Sequence, residues 1–174
     1  AYWLGFILAD GYLHEGRHIL RIKLTDGDHE HLLKFAKFIG ARPEAVKVEY
    51  HNITGKPLCK IEVTNKPITK ALYNLGIRQG KSTREKVSKV PEEFVRDYIR
   101  GIVDGDGSIR PDGTGVSINN SQEVLTYIRN IFMFKFETAT IKVQEHCNTW
   151  KIEFRARKCV KGILEYLYYD GCIA

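Results

Sequence analysis

The chain has 174 residues with 43% hydrophobic content, enough to bury a core in one compact unit or in two small fused halves. Its formal net charge of +6 leans toward a polyanionic partner. The four cysteines (Cys59, Cys147, Cys159, Cys172) lack C-x-x-C spacing, which argues against zinc and a disulfide framework, and no apolar run reaches transmembrane length.

In chain order, Trp3 to Gly11 reads as a buried helix, and Tyr12 to Leu24 as a hairpin turning at Glu15-Gly16. In the second strand Leu20, Ile22 and Leu24 take one face and Ile19, Arg21 and Lys23 the other. Thr25 to Asp28 caps a helix from about His29 to Ile39, with Leu32, Leu33, Ala36 and Ile39 inward. Two strands follow, one through Val46, Val48 and Tyr50 and one through Cys59, Ile61 and Val63, joined by a loop around Gly55. Asn65 caps a short helix whose expected buried stripe is Ile68, Ala71, Leu72 and Leu75, ended by Gly76. Ile77 to Pro91 carries Arg78, Lys81, Arg84, Lys86 and Lys89 against Glu85, and suits an extended connector beside a phosphate backbone or a plain solvated linker.

The second half replays this order. A hairpin from Ser108 to Asn119 turns at Pro111-Asp112-Gly113, with Val116 and Ile118 inward. Ser121 opens a helix carrying Val124, Leu125, Ile128 and Phe132. Thr140 to Gln144 and Trp150 to Arg157 form a strand pair with Ile141, Val143, Ile152, Phe154 and Ala156 inward. Val160, Ile163, Leu164 and Leu167 stripe the last helix. Helix, hairpin, helix, hairpin, helix, stated twice, is an α+β architecture of two fused αββαββα repeats.

The two repeats open on matching stretches: Trp-Leu-Gly-Phe-Ile-Leu-Ala-Asp-Gly at Trp3 to Gly11, and Ile-Arg-Gly-Ile-Val-Asp-Gly-Asp-Gly at Ile99 to Gly107. A glycine within an apolar helix suits very close packing on another helix. The final glycine is expected to take the left-handed position that ends a helix. Asp10 and Asp106 then sit at helix C-termini, where the macrodipole disfavours a carboxylate by roughly 0.3–1 kcal/mol. If the helices pack side by side, the two carboxylates come together and call for a hard divalent cation. One copy alone is better explained as a buried helix ending in an Asp-Gly turn; two symmetric copies favour the paired site.

The strands' outward faces carry Arg21, Lys23, Lys47 and Lys60 in the first half. In the second they carry Ser117, Lys142, Gln144, Lys151, Arg155 and Arg157, with Arg110 beside the hairpin turn. Such side chains contact phosphates and read base edges, although Glu49, Glu62 and Glu153 also fit a solvated face. His29 and His31 around Glu30, and His146-Cys147, lack a partner set at metal-site spacing.

The two motifs resemble the paired signature helices of the LAGLIDADG homing endonucleases, in the single-chain form with two pseudo-symmetric halves. The second copy is close to the family pattern; the first departs at its sixth place, where Leu8 replaces the usual acid, while both eighth-place acids are kept. The resemblance implies repeats at 1–76 and 92–174 joined by a basic linker at 77–91, with two sheets forming one saddle over DNA. It implies a site-specific double-strand DNA endonuclease, intron or intein encoded, using Mg²⁺ or a substituting divalent cation. Asp10 and Asp106 would each bind metal and serve one strand, with carbonyls of Ala9 and Gly105 adding ligands. A polar side chain that orders water falls at Asp26 in the first half and at Asn119 or Asn120 in the second. Lys81 matches the basic residue of the first centre, and its counterpart falls beyond Ala174. The expected partner is double-stranded DNA and no membrane, with the chain monomeric and cytoplasmic or organellar, not secreted. Competing readings are a non-cleaving DNA-binding regulator or intron-RNA maturase of the same fold, and a duplicated α/β module for another anion.

Overall fold

Each motif forms a helix that runs directly into the first strand of its own sheet. The computed structural model describes residues 1–78, 86–136, 144–146 and 149–171. The first half contains α1 (Tyr2–Asp10), β1 (Gly11–His14), β2 (Ile19–Thr25), α2 (His29–Phe38), β3 (Val46–Tyr50), β4 (Pro57–Thr64) and α3 (Lys66–Asn74). The second contains α4 (Val95–Asp106), β5 (Gly107–Ile109), β6 (Val116–Asn120), α5 (Gln122–Phe136), β7 (Gln144–His146), β8 (Thr149–Phe154) and α6 (Arg157–Leu167). The antiparallel sheets have the matching orders β1-β2-β4-β3 and β5-β6-β8-β7. Gly11 faces Ile22 in one and Gly107 faces Ile118 in the other, which fixes the residue-by-residue correspondence of the halves.

Helices α1 and α4 pack against each other with backbones in contact. A Cβ on Gly5 would lie 2.0 Å from the Tyr98 carbonyl oxygen, and one on Gly101 would lie 2.1 Å from that of Tyr2. No side chain fits there, so the glycine at the third place of each motif is what permits the crossing. Gly11 and Gly107 correct the expectation of left-handed helix ends. Their φ values are −72° and −90°, in extended backbone. A Cβ at these positions would strike the helix's own last turn, 2.6 Å from the Ile7 carbonyl oxygen and 2.2 Å from that of Val103. Glycine is needed there for space, because the chain leaves the helix straight into a strand.

Each sheet covers its core with the inward residues of β2 and β4, or β6 and β8: Leu20, Ile22, Cys59 and Ile61 in one, Val116, Ile118, Ile152 and Phe154 in the other, all buried. Against these pack Leu32, Phe35 and Ala36 of α2, or Val124, Leu125, Ile128 and Phe132 of α5. Asn65 caps α3 as expected, its Oδ1 accepting from the Ile68 amide at 2.9 Å. The stripe of α3 is narrower than its sequence suggests. Leu72 and Thr69 are buried, but Ala71 and Leu75 are exposed.

The connector is held at both ends, and Arg78 does not reach outward. Its guanidinium donates to the Tyr73 carbonyl and stacks 4.0 Å from the Tyr73 ring. Ser88 is buried and donates through Oγ to the Leu75 carbonyl at 2.6 Å. Lys81 and Arg84 lie outside the described residues, as do Ile141, Lys142 and Val143.

Candidate functional site

The crossing delivers the ends of α1 and α4 side by side. A Cβ on Gly105 would meet the Ala9 Cβ at 2.4 Å and Asp10 Oδ2 at 3.1 Å. The carboxylate of the first motif therefore lies against the backbone of the second, immediately before Asp106. Both acids are half-buried. Ala9 and Gly105 are the small residues that let this approach occur.

Asp106 is held by its own half. Asn120, at the end of β6, is 3% exposed, and its Nδ2 donates to Asp106 Oδ2 at 2.6 Å. Its Oδ1 accepts from the Ser121 amide at 2.7 Å, which fixes the orientation of the carboxamide. Of the two asparagines, it is therefore Asn120 that faces the motif acid. Asn119 lies on the other face of the strand, and its Oδ1 is buried without a hydrogen-bond partner among the described residues.

The first half is built differently. Strand register makes Leu24 the counterpart of Asn120. Asp26 comes two residues later, exposed at the start of a 3₁₀ turn, Asp26–Asp28. A cleft beside Asp10 is lined by Leu24, Thr25, Asp28, His31, Lys34 and Asp104, among others, but not by Asp26. Asp28 accepts from Thr25 Oγ1 at 2.6 Å.

Asp104, the sixth-place acid of the second motif, anchors a network that the sequence does not announce. Tyr2 Oη donates to its Oδ2 at 2.7 Å and Tyr168 Oη to its Oδ1 at 2.6 Å. Tyr2 Oη also lies 3.0 Å from His31 Nε2. A hydroxyl carries one proton, and here it goes to Asp104, so His31 must be the donor to Tyr2 through Nε2–H. Burial raises the pKa of Tyr2, and the Asp104 charge and hydrogen bond add to that. Burial likewise holds His31 below its ordinary 6.5, against the opposing pull of Asp104. Arg100, one turn earlier on α4, is 1% exposed and sits over the Tyr2 ring at 4.6 Å, with Asp97 at 3.7 Å. The only hint of this network in the sequence is the acid at the motif's sixth place.

The sheet faces carry the expected polar side chains. Arg21, Lys23, Lys47 and Lys60 share the outer face of the first sheet. In the second, Ser117 lies opposite Glu153, and the backbone register sets Lys151 opposite Gln144. Arg110 follows β5, and Arg155 follows β8. Arg157 is not on the strand face: it begins α6, because β8 ends at Phe154.

The donor set suits a hard cation. It offers two carboxylates and the adjacent main chain of Ala9 and Gly105, and a side chain at Gly105 would crowd Asp10. Among the described residues, no helix is long and apolar enough to cross a membrane.

Comparison with solved structures gives the fold. No protein-family model matches the chain, and no curated protein does either. The crystal structure of full-length DUF199/WhiA from Thermatoga maritima superposes with a TM-score of 0.68 at 18% identity, over 98% of this chain and 55% of that one. The chain thus spans about half the length of that protein. The N-terminal LAGLIDADG domain of DUF199/WhiA gives 0.65 at 20% identity, over 99% of this chain and 81% of that one. The LAGLIDADG meganuclease I-CpaMI bound to uncleaved DNA gives 0.60 at 14%, over 98% and 85%. The chain has the LAGLIDADG fold, of class α+β.

Proposed function

We propose that this chain is a site-specific endonuclease acting on double-stranded DNA with a divalent cation, Mg²⁺ in the first instance. One observation carries the reading. The Asp10 carboxylate lies against the Gly105 backbone, next in sequence to its repeat counterpart Asp106, at a helix crossing for which Gly5 and Gly101 leave room. Asp10 and Asp106, with carbonyls of Ala9 and Gly105, would hold the cation. When bound, the cation supplies Lewis acidity toward a phosphodiester and a lowered pKa for water. Asn120 would keep the Asp106 carboxylate in one orientation through its Nδ2 hydrogen bond. Lys81, outside the described residues, is the basic residue to which the family resemblance assigns charge stabilisation, a role worth about 2–4 kcal/mol. The outward residues of the two sheets would bind the duplex on either side. The meganuclease I-CpaMI, which shares the fold, was crystallised bound to DNA and supports that choice of partner.

Leu24, standing where the second half has Asn120, favours a second reading: binding without double-strand cleavage. Asp10→Asn and Asp106→Asn distinguish the two. On duplexes recovered by binding selection, each variant should lose double-strand cutting while retaining sequence-specific binding. A parental chain that binds such duplexes but never breaks them in Mg²⁺ would leave only the second reading.

A further inference from the structure

The cations on the two sheet faces are almost all paired with a glutamate. Arg21 meets Glu62 at 2.6 Å. Lys23 and Lys60 converge on Glu49 at 2.5 and 2.7 Å. Arg110, Lys151 and Arg155 converge on Glu153 at 3.2, 3.8 and 2.9 Å. Of the described sheet-face cations in the DNA-facing set, Lys47 alone lacks a carboxylate within ion-pair reach. The arrangement follows the internal symmetry. Glu62 opposes Arg21 and Glu153 opposes Ser117, positions that the strand registers make equivalent.

These acids are misplaced for a face that only attracts phosphates. A carboxylate there repels the backbone and neutralises the charges that would neutralise it. Solvent-exposed ion pairs add little to stability, so folding alone does not explain their repetition. Their effect on recognition is different. A guanidinium or ammonium tied to a carboxylate presents its remaining donors in a fixed direction, as reading a base edge requires. Specificity is a difference of affinities, and it rises when the non-specific term is suppressed.

We infer that Glu49, Glu62 and Glu153 are specificity-determining residues, fixing the sheet-face cations as directional readers and lowering affinity for phosphate backbone in general. The inference rests on the proposed DNA-binding function. At Glu49 the Lys23 and Lys60 hydrogen bonds bring the carboxyl down to about 2, so that this cluster stays ionised at neutral pH.

The test is binding selection from a randomised duplex library, without divalent metal, using the parental chain, Glu153→Gln and Glu62→Gln. Glu153→Gln should bind random-sequence duplex about fivefold more tightly at low salt, with a salt slope steeper by about 0.9 for each cation released to a phosphate. Its sequence enrichment should fall over one half of the selected site, and that of Glu62→Gln over the other half. Unchanged enrichment with unchanged random-duplex affinity would overturn the inference. So would a switch at one base pair alone, which would make the glutamate a direct base contact. If the parental chain retains no duplex, the DNA-binding function itself fails; if it retains duplex and the variants match it, only the role of the glutamates does.

Discussion

At Asn120 both ends of the carboxamide are engaged, Nδ2 with Asp106 and Oδ1 with the Ser121 amide. Groups that orient a ligating carboxylate in this way typically contribute about 10–100-fold to activity. Asn120→Ala should therefore slow hydrolysis of the strand served by Asp106 by about that factor. Nicked DNA should accumulate, as strand-resolved gels would reveal; equal slowing of both strands would contradict the assignment. His31 yields a second expectation. Its pKa is below 6.5 in the folded chain because burial disfavours the cation, outweighing Asp104 and Asp28 and aided by Lys34. The unfolded chain therefore takes up the proton first as pH falls. This contribution to stability is complete above about pH 6.5 and is lost as pH drops through the lower folded value. Melting temperatures at pH 8 and pH 5 should differ less in His31→Gln than in the parental chain. The Tyr2–Asp104–Tyr168 bonds around His31 were not legible in the sequence, because the tyrosines lie 102 and 64 residues from the acid they share. Periodicity reports only what shares an element.

Among the elements, α1 and α4 carry the architecture. Their contact was legible because its requirement is chemical: a glycine at the same place in two apolar stretches. Gly101→Ala should destabilise the fold by about 1–3 kcal/mol or more, since the new Cβ meets backbone atoms that no rotamer change can move. Denaturant unfolding of that variant measures it, and an unchanged midpoint would refute the crossing. The reason for Gly11 and Gly107 was not legible, because a glycine after a helix reads the same whether it supplies a left-handed turn or merely space. The end of β8 is not legible in the sequence for a related reason. Alternation continues through Ala156, and no Gly or Pro marks the start of α6 at Arg157. Strands β2 and β4, and the helix carrying Leu32 and Ala36, followed their hydrophobic patterns because each has one wet and one dry face, whereas β3, at the sheet edge, buries Val46 but leaves Val48 and Tyr50 exposed.

For the molecule as a whole, duplication explains the layout, and on the proposed endonuclease reading its departures would make the two centres unequal. The halves share strand order and register, yet Leu24 stands opposite Asn120 and Leu8 opposite Asp104. The sequence placed a polar residue of the first centre at Asp26, whereas the cleft beside Asp10 takes in Asp28, His31 and Lys34. Register within a turn is set by packing, which no spacing rule reports. Leu24→Asn would test whether that asymmetry limits the first centre: faster cutting of the strand served by Asp10 is expected, and no change would mean the cleft already supplies what Leu24 lacks. The paired carboxylates themselves are tested most directly by incubating the parental chain with a randomised duplex library in Mg²⁺ and in Ca²⁺, then sequencing every released end. The expected result is ends clustered at one sequence in Mg²⁺, absent in Ca²⁺ and absent from Asp10→Asn and Asp106→Asn. Ends scattered at random, or no ends from a chain that still selects its sequence, would contradict site-specific cleavage by the paired carboxylates.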